Sequence, residues 1–152
     1  MAAAREPRRD LAAMLVPLGR ALTAAELPLL AEHGLSMWAY AVLLRLEAEP
    51  LRSQAALAES IGADKTRIIE VLTALESRGL ISRTPDPADR RVRLLALTPE
   101  GSRVRDAAQS AIQSREDRLL AHYLPPTQRT PFLTALATLS ALPPESLTDP
   151  DL

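Results

Sequence analysis

Five arginines, Arg78, Arg83, Arg90, Arg91 and Arg93, fall in a stretch that holds only two acids, Asp86 and Asp89. In a chain of formal net charge -1 the positive charge is therefore local. Clustered guanidinium groups suit phosphates, and an arginine on a projecting tip can enter a narrow minor groove, where the potential is most negative. Arg91 is the candidate for that role, Asp89 can hold its guanidinium extended, and Arg90 and Arg93 are candidate phosphate contacts. Just upstream stand Lys65, Thr66, Arg67, Ile69, Glu70 and Thr73. On an exposed helix face Ile69 and the threonine methyls can touch a thymine methyl, Glu70 can accept from cytosine N4, and Lys65 and Arg67 suit phosphates. Taken singly, each group has an ordinary reading: a solvated helix face, or a surface ion pair worth under about 1 kcal/mol.

These groups need elements to hold them. Residues 1 to about 10 read as a polar, frayed end. From Leu11 the positions Leu11, Leu15, Leu18, Leu22, Ala25 and Leu29 form a heptad-like stripe, suited to a partner helix or to a core within one subunit. Pro17 implies a kink or a late start, and Pro28 and Gly34 mark the end of this region. Ser36 can cap a second helix that sets Met37, Tyr40, Ala41, Leu44 and Ala48 on one face, with Val42 and Leu43 beside it, and Pro50 stops it. Ser53 caps a short helix with Ala56, Leu57 and Ile61 facing inward, closed by Gly62.

The next helix runs from about Lys65 to Arg78 with Asp64 as its cap. Ile68, Val71, Leu72 and Leu75 gather on one side of it, Thr66, Glu70, Thr73 and Ser77 on the other, and Ile69 at the margin. Gly79 ends it, Leu80 to Thr84 is a strand, Asp86 and Pro87 form a turn, and Val92 to Leu97 returns. Thr98 and Pro99 then start a helix reaching about His122, some 25 residues or roughly 37 Å. Pro125 and Pro126 break the chain before an apolar stripe at Phe132, Leu133, Leu136, Leu139 and Leu142, and PPESLTDPDL reads as a loose tail. A short helix, a Gly turn, a second helix and a hairpin with an arginine tip make a winged helix, a layout that puts the second helix in a DNA major groove and the hairpin beside it.

The combined pattern is more specific than its parts. GLISRTPDPADRRVRLLALTPEG closely resembles the wing of the MarR (multiple-antibiotic-resistance regulator) family, with its Gly-Leu-hydrophobic-x-Arg strand, D-x-x-D-R-R loop and L-x-L-T-x-x-G junction. Upstream, LSMWAYAVLLRL resembles the family's second helix and SQAALAESIGADKTRIIEVLTALESRGL its helix-turn-helix, so the likeness covers roughly Leu35 to Gly101. The resemblance implies a mainly α fold with a small β-hairpin wing: a winged helix-turn-helix with N- and C-terminal dimerisation helices. Residues 1–34 and 99–145 would form the helical dimerisation region, 35–98 the DNA-binding lobe and 146–152 the tail. It further implies a homodimeric transcriptional regulator on double-stranded, pseudo-palindromic operator DNA, a repressor relieved by a small lipophilic or aromatic ligand. His33, Met37, Trp38 and Tyr40 lie where the family's ligand pocket would be; a plain core role for them is the competing reading. Family members often carry Thr-Arg where this chain has Ile69 and Glu70.

Bulk properties bound the rest. A chain of 152 residues, 47% hydrophobic and 24% charged with 3% aromatics, suits a single domain packed through leucine and alanine. There is no cysteine, which excludes disulfides, thiolate metal sites and the thiol-oxidation response of part of the family. The two histidines lack metal-ligand spacing, so neither a metal nor another cofactor is expected. No apolar run approaches the ~18 residues of a membrane span, and the N-terminus lacks a signal-peptide core, so the expected place is the cytoplasm, away from membranes. With no Ser/His/Asp set, paired carboxylates or Gly-rich phosphate loop, catalysis is not expected. The acidic pI near 6.1 and Glu70 leave one alternative, a winged-helix protein-interaction module without operator binding.

Overall fold

The computed structural model describes residues 8–48 and 53–148. Its elements run α1 (Leu11–Glu32), α2 (Met37–Ala48), α3 (Gln54–Ile61), α4 (Lys65–Ser77), β1 (Ile81–Pro85), β2 (Arg93–Leu97), α5 (Pro99–Tyr123), α6 (Pro126–Ser140) and the single turn α7 (Pro144–Leu147). The mainly helical fold with one antiparallel hairpin is the expected class. Contacts divide the chain into Met1–Ile112 and Gln113–Leu152, and α5 contributes residues to both.

Capping chemistry sets the helix starts. The Ser36 hydroxyl accepts from the Ala39 amide at 3.1 Å, Ser53 from Ala56 at 3.0 Å and the Asp64 carboxylate from Arg67 at 2.8 Å, each satisfying a donor that the helix itself leaves orphaned. Gly62, at φ 69°, closes α3 in the left-handed region where a side chain is strained. In the first unit the core is built from Leu30, Leu35, Val42, Leu43, Leu46, Leu57, Ile68, Leu72, Leu75, Leu80, Ile81 and Leu95, with Val104, Ala108 and Ile112 of α5. α2 sits at its centre, packed by α3, α4 and the hairpin. Arg105 of α5 is also buried, ion-paired with Glu47 of α2 and 2.7 Å from Asp106.

Several expectations shift. α1 begins at Leu11 and passes through both Pro17 and Pro28, which lie inside it. The Ala13 carbonyl, which Pro17 cannot satisfy for want of an N–H, accepts instead from the Arg9 guanidinium at 3.2 Å. On α2 the buried residues are Ala39, Tyr40, Val42, Leu43 and Leu46, while Leu44 is exposed. This helix is apolar nearly all round, so the pattern of residues did not select the face that its neighbours cover. On α3, Leu57 and Ala58 are buried and Ala56 is exposed. The strands start one residue later than their spacing predicts, and the tail includes α7. Pro50, expected to stop α2, and residues 149–152 of the tail lie outside the described residues.

α1 also holds an 18-residue window of mean hydropathy 1.3, of which 6% is buried, long and apolar enough by composition to cross a membrane. This corrects the expectation that no apolar run approaches such a length, because the average over α1 stays high across Arg20 and Glu26.

In the second unit the Arg129 guanidinium donates to the Leu124 and Ala121 carbonyls at 2.9 and 3.0 Å, capping the end of α5.

Candidate nucleic-acid interface

α4 is amphipathic in the strict sense: Ile68, Leu72 and Leu75 are essentially inaccessible, and the opposite side faces water. Lys65, Thr66, Arg67, Ile69, Glu70 and Thr73 are all exposed. At 100° per residue, Thr66, Glu70 and Thr73 occupy the middle of that face, with Ile69 and Arg67 on its two flanks. Ile69 is 50% exposed, an unusual position for a large aliphatic side chain on a helix otherwise so cleanly divided. Thr73 donates its hydroxyl to the Ile69 carbonyl at 2.9 Å. Arg67 Nε lies 3.8 Å from Asp64 Oδ2.

The hairpin pairs Ile81 with Leu97 through to Pro85 with Arg93. Its tip is shaped by the two acids of the D-x-x-D-R-R loop. Asp86 is buried, its carboxylate accepting from the Ala88 amide at 2.9 Å while its own N–H donates to the Val92 carbonyl at 2.8 Å. Asp89 accepts from the Arg91 amide at 3.0 Å through its carboxylate, and from the Val92 amide at 2.9 Å through its carbonyl. Both are side-chain-closed turns. Asp89 thus holds Arg91 by the backbone; the expected grip on its guanidinium is not what the geometry gives, because the amide two residues on is the nearer donor. Arg90, Arg91 and Arg93 are exposed, and their guanidinium groups have no protein partner among the described residues.

The other two arginines of the cluster are committed elsewhere. Arg78 donates to the Gly34 and His33 carbonyls at 2.5 and 3.2 Å, closing the end of α1. Arg83 Nε lies 3.1 Å from Glu76 Oε2 of α4, and with the Gln54 amide turned to present its oxygen both Arg83 NH groups donate to it at 2.9 and 3.0 Å. Arg83 therefore ties the wing to both helices of the helix-turn-helix. Sequence reading left it undistinguished within the cationic group, although strand alternation puts it on the same face as buried Ile81 and so toward the helices.

At the wing's base the Thr98 hydroxyl donates to the Gly79 carbonyl at 2.6 Å and accepts from the Gly101 amide at 3.0 Å, and the Thr98 amide donates to the Leu80 carbonyl at 3.2 Å. Gly101 is buried where a Cβ would stand 1.9 Å from the Leu80 oxygen.

The four residues expected near a ligand do not share one wall. A cavity of about 430 Å³ is lined by Glu32, His33, Arg78, Glu100, Arg103, Leu80 and their neighbours, with His33 the one member of that set on it. Met37 and Trp38 are half-buried, and Tyr40 lies in the core. The cavity is more charged than a lipophilic pocket. Arg103 forks onto Glu100 at 2.9 and 2.6 Å, which holds the Glu100 carboxyl below its ordinary value and raises Arg103. Among the described residues no group of three or more His, Cys, Asp or Glu could hold a metal ion.

The MarR family model matches residues 35–92. The transcriptional regulator HosA of Escherichia coli O111:H- is 41% identical over 69 residues, 45% of this chain and 51% of that protein. The chain thus spans about half the length of the curated relatives it matches in this way. Among solved structures, CouR from Rhodococcus jostii RHA1 bound to p-coumaroyl-CoA is similar at 30% identity and a TM-score of 0.68, covering 88% of this chain and 94% of that one. The transcriptional repressor CouR bound to a 23-mer DNA duplex is similar at 33% identity, again with a TM-score of 0.68, covering 86% and 92%.

Proposed function

Because the chain belongs to the MarR family, we propose that it is a homodimeric, sequence-specific DNA-binding transcriptional regulator, a repressor relieved by a small-molecule ligand and working in the cytoplasm. The observation that carries this reading is the wing tip: Arg90 and Arg91 on a loop closed by Asp86 and Asp89, with Arg93 at the start of β2, none of the three guanidinium groups having a protein partner among the described residues. A loop already closed by these turns incurs a smaller ordering cost when its guanidinium groups meet phosphate. In this reading Arg91 enters the minor groove, Arg90 and Arg93 contact phosphates, and Asp89 orders the loop that presents them. α4 lies in the major groove, with Thr66, Ile69, Glu70 and Thr73 toward base edges and Lys65 and Arg67 toward the backbone.

Dimerisation is supported by apolar surface that one chain leaves in water. Leu11, Leu15 and Leu18 of α1 are 54%, 42% and 44% exposed. In the other unit Leu133, Leu136 and Leu139 of α6 are 46%, 39% and 47% exposed. Stripes of this size mark association surfaces, and a twofold dimer would set its reading helices on half-sites about 34 Å apart. A dimer seam also accounts for the hydropathy of α1 without a membrane. The ligand part of the proposal draws on the p-coumaroyl-CoA complex of CouR, and points to a lipophilic or aromatic compound or its thioester.

The test is titration of the protein onto DNA from its own upstream region at several salt concentrations. Binding should fall with salt with a log-log slope of several units, and Arg91→Ala should weaken it, lower the slope by about one and leave the dimer intact. Binding that is absent or independent of salt would overturn the proposal in favour of an interaction module.

A further inference from the structure

The outward face of α4 is short of the one group most used to read guanine. Arg67 is on its flank and drawn toward Asp64, and Lys65 stands at the helix end. The middle presents two threonines, Thr66 and Thr73, and a single carboxylate, and the flank opposite Arg67 presents Ile69. Ile69 is half exposed. Thr73 has committed its proton to the Ile69 carbonyl, so its methyl and lone pairs are what it can offer a partner. Glu70 is exposed and has no partner among the described residues.

Resting on the DNA-binding reading above, we propose that α4 is a pyrimidine reader: Ile69 and the Thr73 methyl pack on a thymine C5-methyl, and Glu70 accepts from a cytosine N4 amino group. The major-groove code explains why a carboxylate there selects one base. Guanine offers N7 and O6 acceptors and thymine an O4 acceptor, all of which repel it. Adenine's N6 donor sits beside its own N7 acceptor, whereas cytosine presents a donor and no acceptor of its own. A carboxylate near phosphates is repelled unless such a donor is supplied, so Glu70 acts as much by rejecting wrong sites as by favouring the right one. The centre of each half-site should therefore carry thymine and cytosine on the strand that α4 faces.

The test uses the full chain and a half-site enriched from a random duplex pool. Each thymine of that site is replaced in turn by deoxyuridine, which lacks only the methyl group. At one or more positions per half-site binding should weaken about fourfold, the effect of uncovering one methyl-sized apolar group. Ile69→Ala, a change outside the core, should keep the melting temperature and abolish that difference. Glu70→Gln, whose amide can also donate, should lower the preference for cytosine over thymine at one position roughly fivefold or more. If the protein selects a site but is indifferent to every deoxyuridine, and both variants select the same site, the pyrimidine reading is wrong while DNA binding stands. Enrichment of a guanine that is lost only in Arg67→Ala moves the reading to Arg67 and equally overturns it. If no sequence is enriched, the inference and the proposed function fall together.

Discussion

Gly101→Ala sets two physical rules against each other. Gly101 lies in the first turn of α5, and by helix propensity alone alanine there should stabilise the helix by about 0.5–1 kcal/mol. Its Cβ, however, would stand 1.9 Å from the Leu80 carbonyl oxygen and 2.9 Å from both the Leu80 carbonyl carbon and Leu97 Cδ1. Carbon and oxygen come no closer than roughly 3.3 Å in ordinary contacts, so the backbone at Leu80 and α5 must separate by more than about 1 Å. That movement breaks the bond from the Thr98 amide to Leu80 and stretches the one from the Thr98 hydroxyl to Gly79. Two hydrogen bonds at about 1 kcal/mol each, plus about 1–3 kcal/mol of overpacking, outweigh the propensity gain and leave a net loss of about 2–4 kcal/mol. At about 2–4 °C per kcal/mol for a chain of this size, the melting temperature should fall by about 5–15 °C. The assay is thermal unfolding of both proteins at one fixed concentration, since a dimer's midpoint depends on it. An unchanged or higher melting temperature would refute the reasoning, because it would mean that the contact at the wing's base is not made as described.

Two other perturbations probe the clamp and the second unit. Arg83→Ala removes the tie from the wing to Gln54 and Glu76 and should weaken DNA binding severalfold with the dimer retained. Arg83→Lys should recover part of the loss, because an ammonium can pair with Glu76 but cannot fork onto Gln54; equal affinities for both variants and the parent in an anisotropy titration would remove the clamp from the account. Glu116 has its carboxyl raised above 4.5, first by desolvation and then by Asp117, with Arg115 opposing. The folded state thus holds that proton more tightly than the unfolded chain. Its contribution is fully present below about pH 4.5 and is lost as pH rises through the raised value. Glu116→Gln should therefore be slightly the more stable protein near neutral pH, with the gap closing in acid; a gap that widens in acid would reverse the assignment.

What the sequence disclosed depended on how one-sided each element is. α4 was legible because Ile68, Leu72 and Leu75 recur on one face and Asp64 caps its start, and α3 because Ser53 and Gly62 close its two ends, all through local chemistry that needs no distant partner. The same holds for the wing loop, whose acids close turns within a few residues of themselves. α2 was not legible in its facing, since an all-apolar helix at the centre of a core has no polar side to point outward. Ala56 and Ala58 were indistinguishable for a related reason: alanine is tolerated on either side, so only packing decides which is covered. Of the two readings that Pro17 left open the late start falls, since the helix begins at Leu11 and Arg9 reaches the carbonyl freed at Ala13, and Pro28, expected to mark the end, lies inside the helix.

The arginine cluster shows how counting charge differs from placing it. Arg78 and Arg83, which add to the local positive charge on paper, are held by carbonyls of the α1–α2 turn and by Glu76 and Gln54. A net charge of -1 leaves little general attraction for a polyanion. The proposed affinity must then come from three wing arginines and a few groups on α4 engaging together. Their joint engagement requires a fixed distance between wing and helix, and loss of that distance costs most of the contacts at once. Arg83 spans it, held in the wing strand by its own backbone and ion-paired with Glu76 of α4. In the proposed mode of binding, Arg83 acts on DNA affinity without touching DNA, by holding Arg90, Arg91 and Arg93 at a set distance from α4.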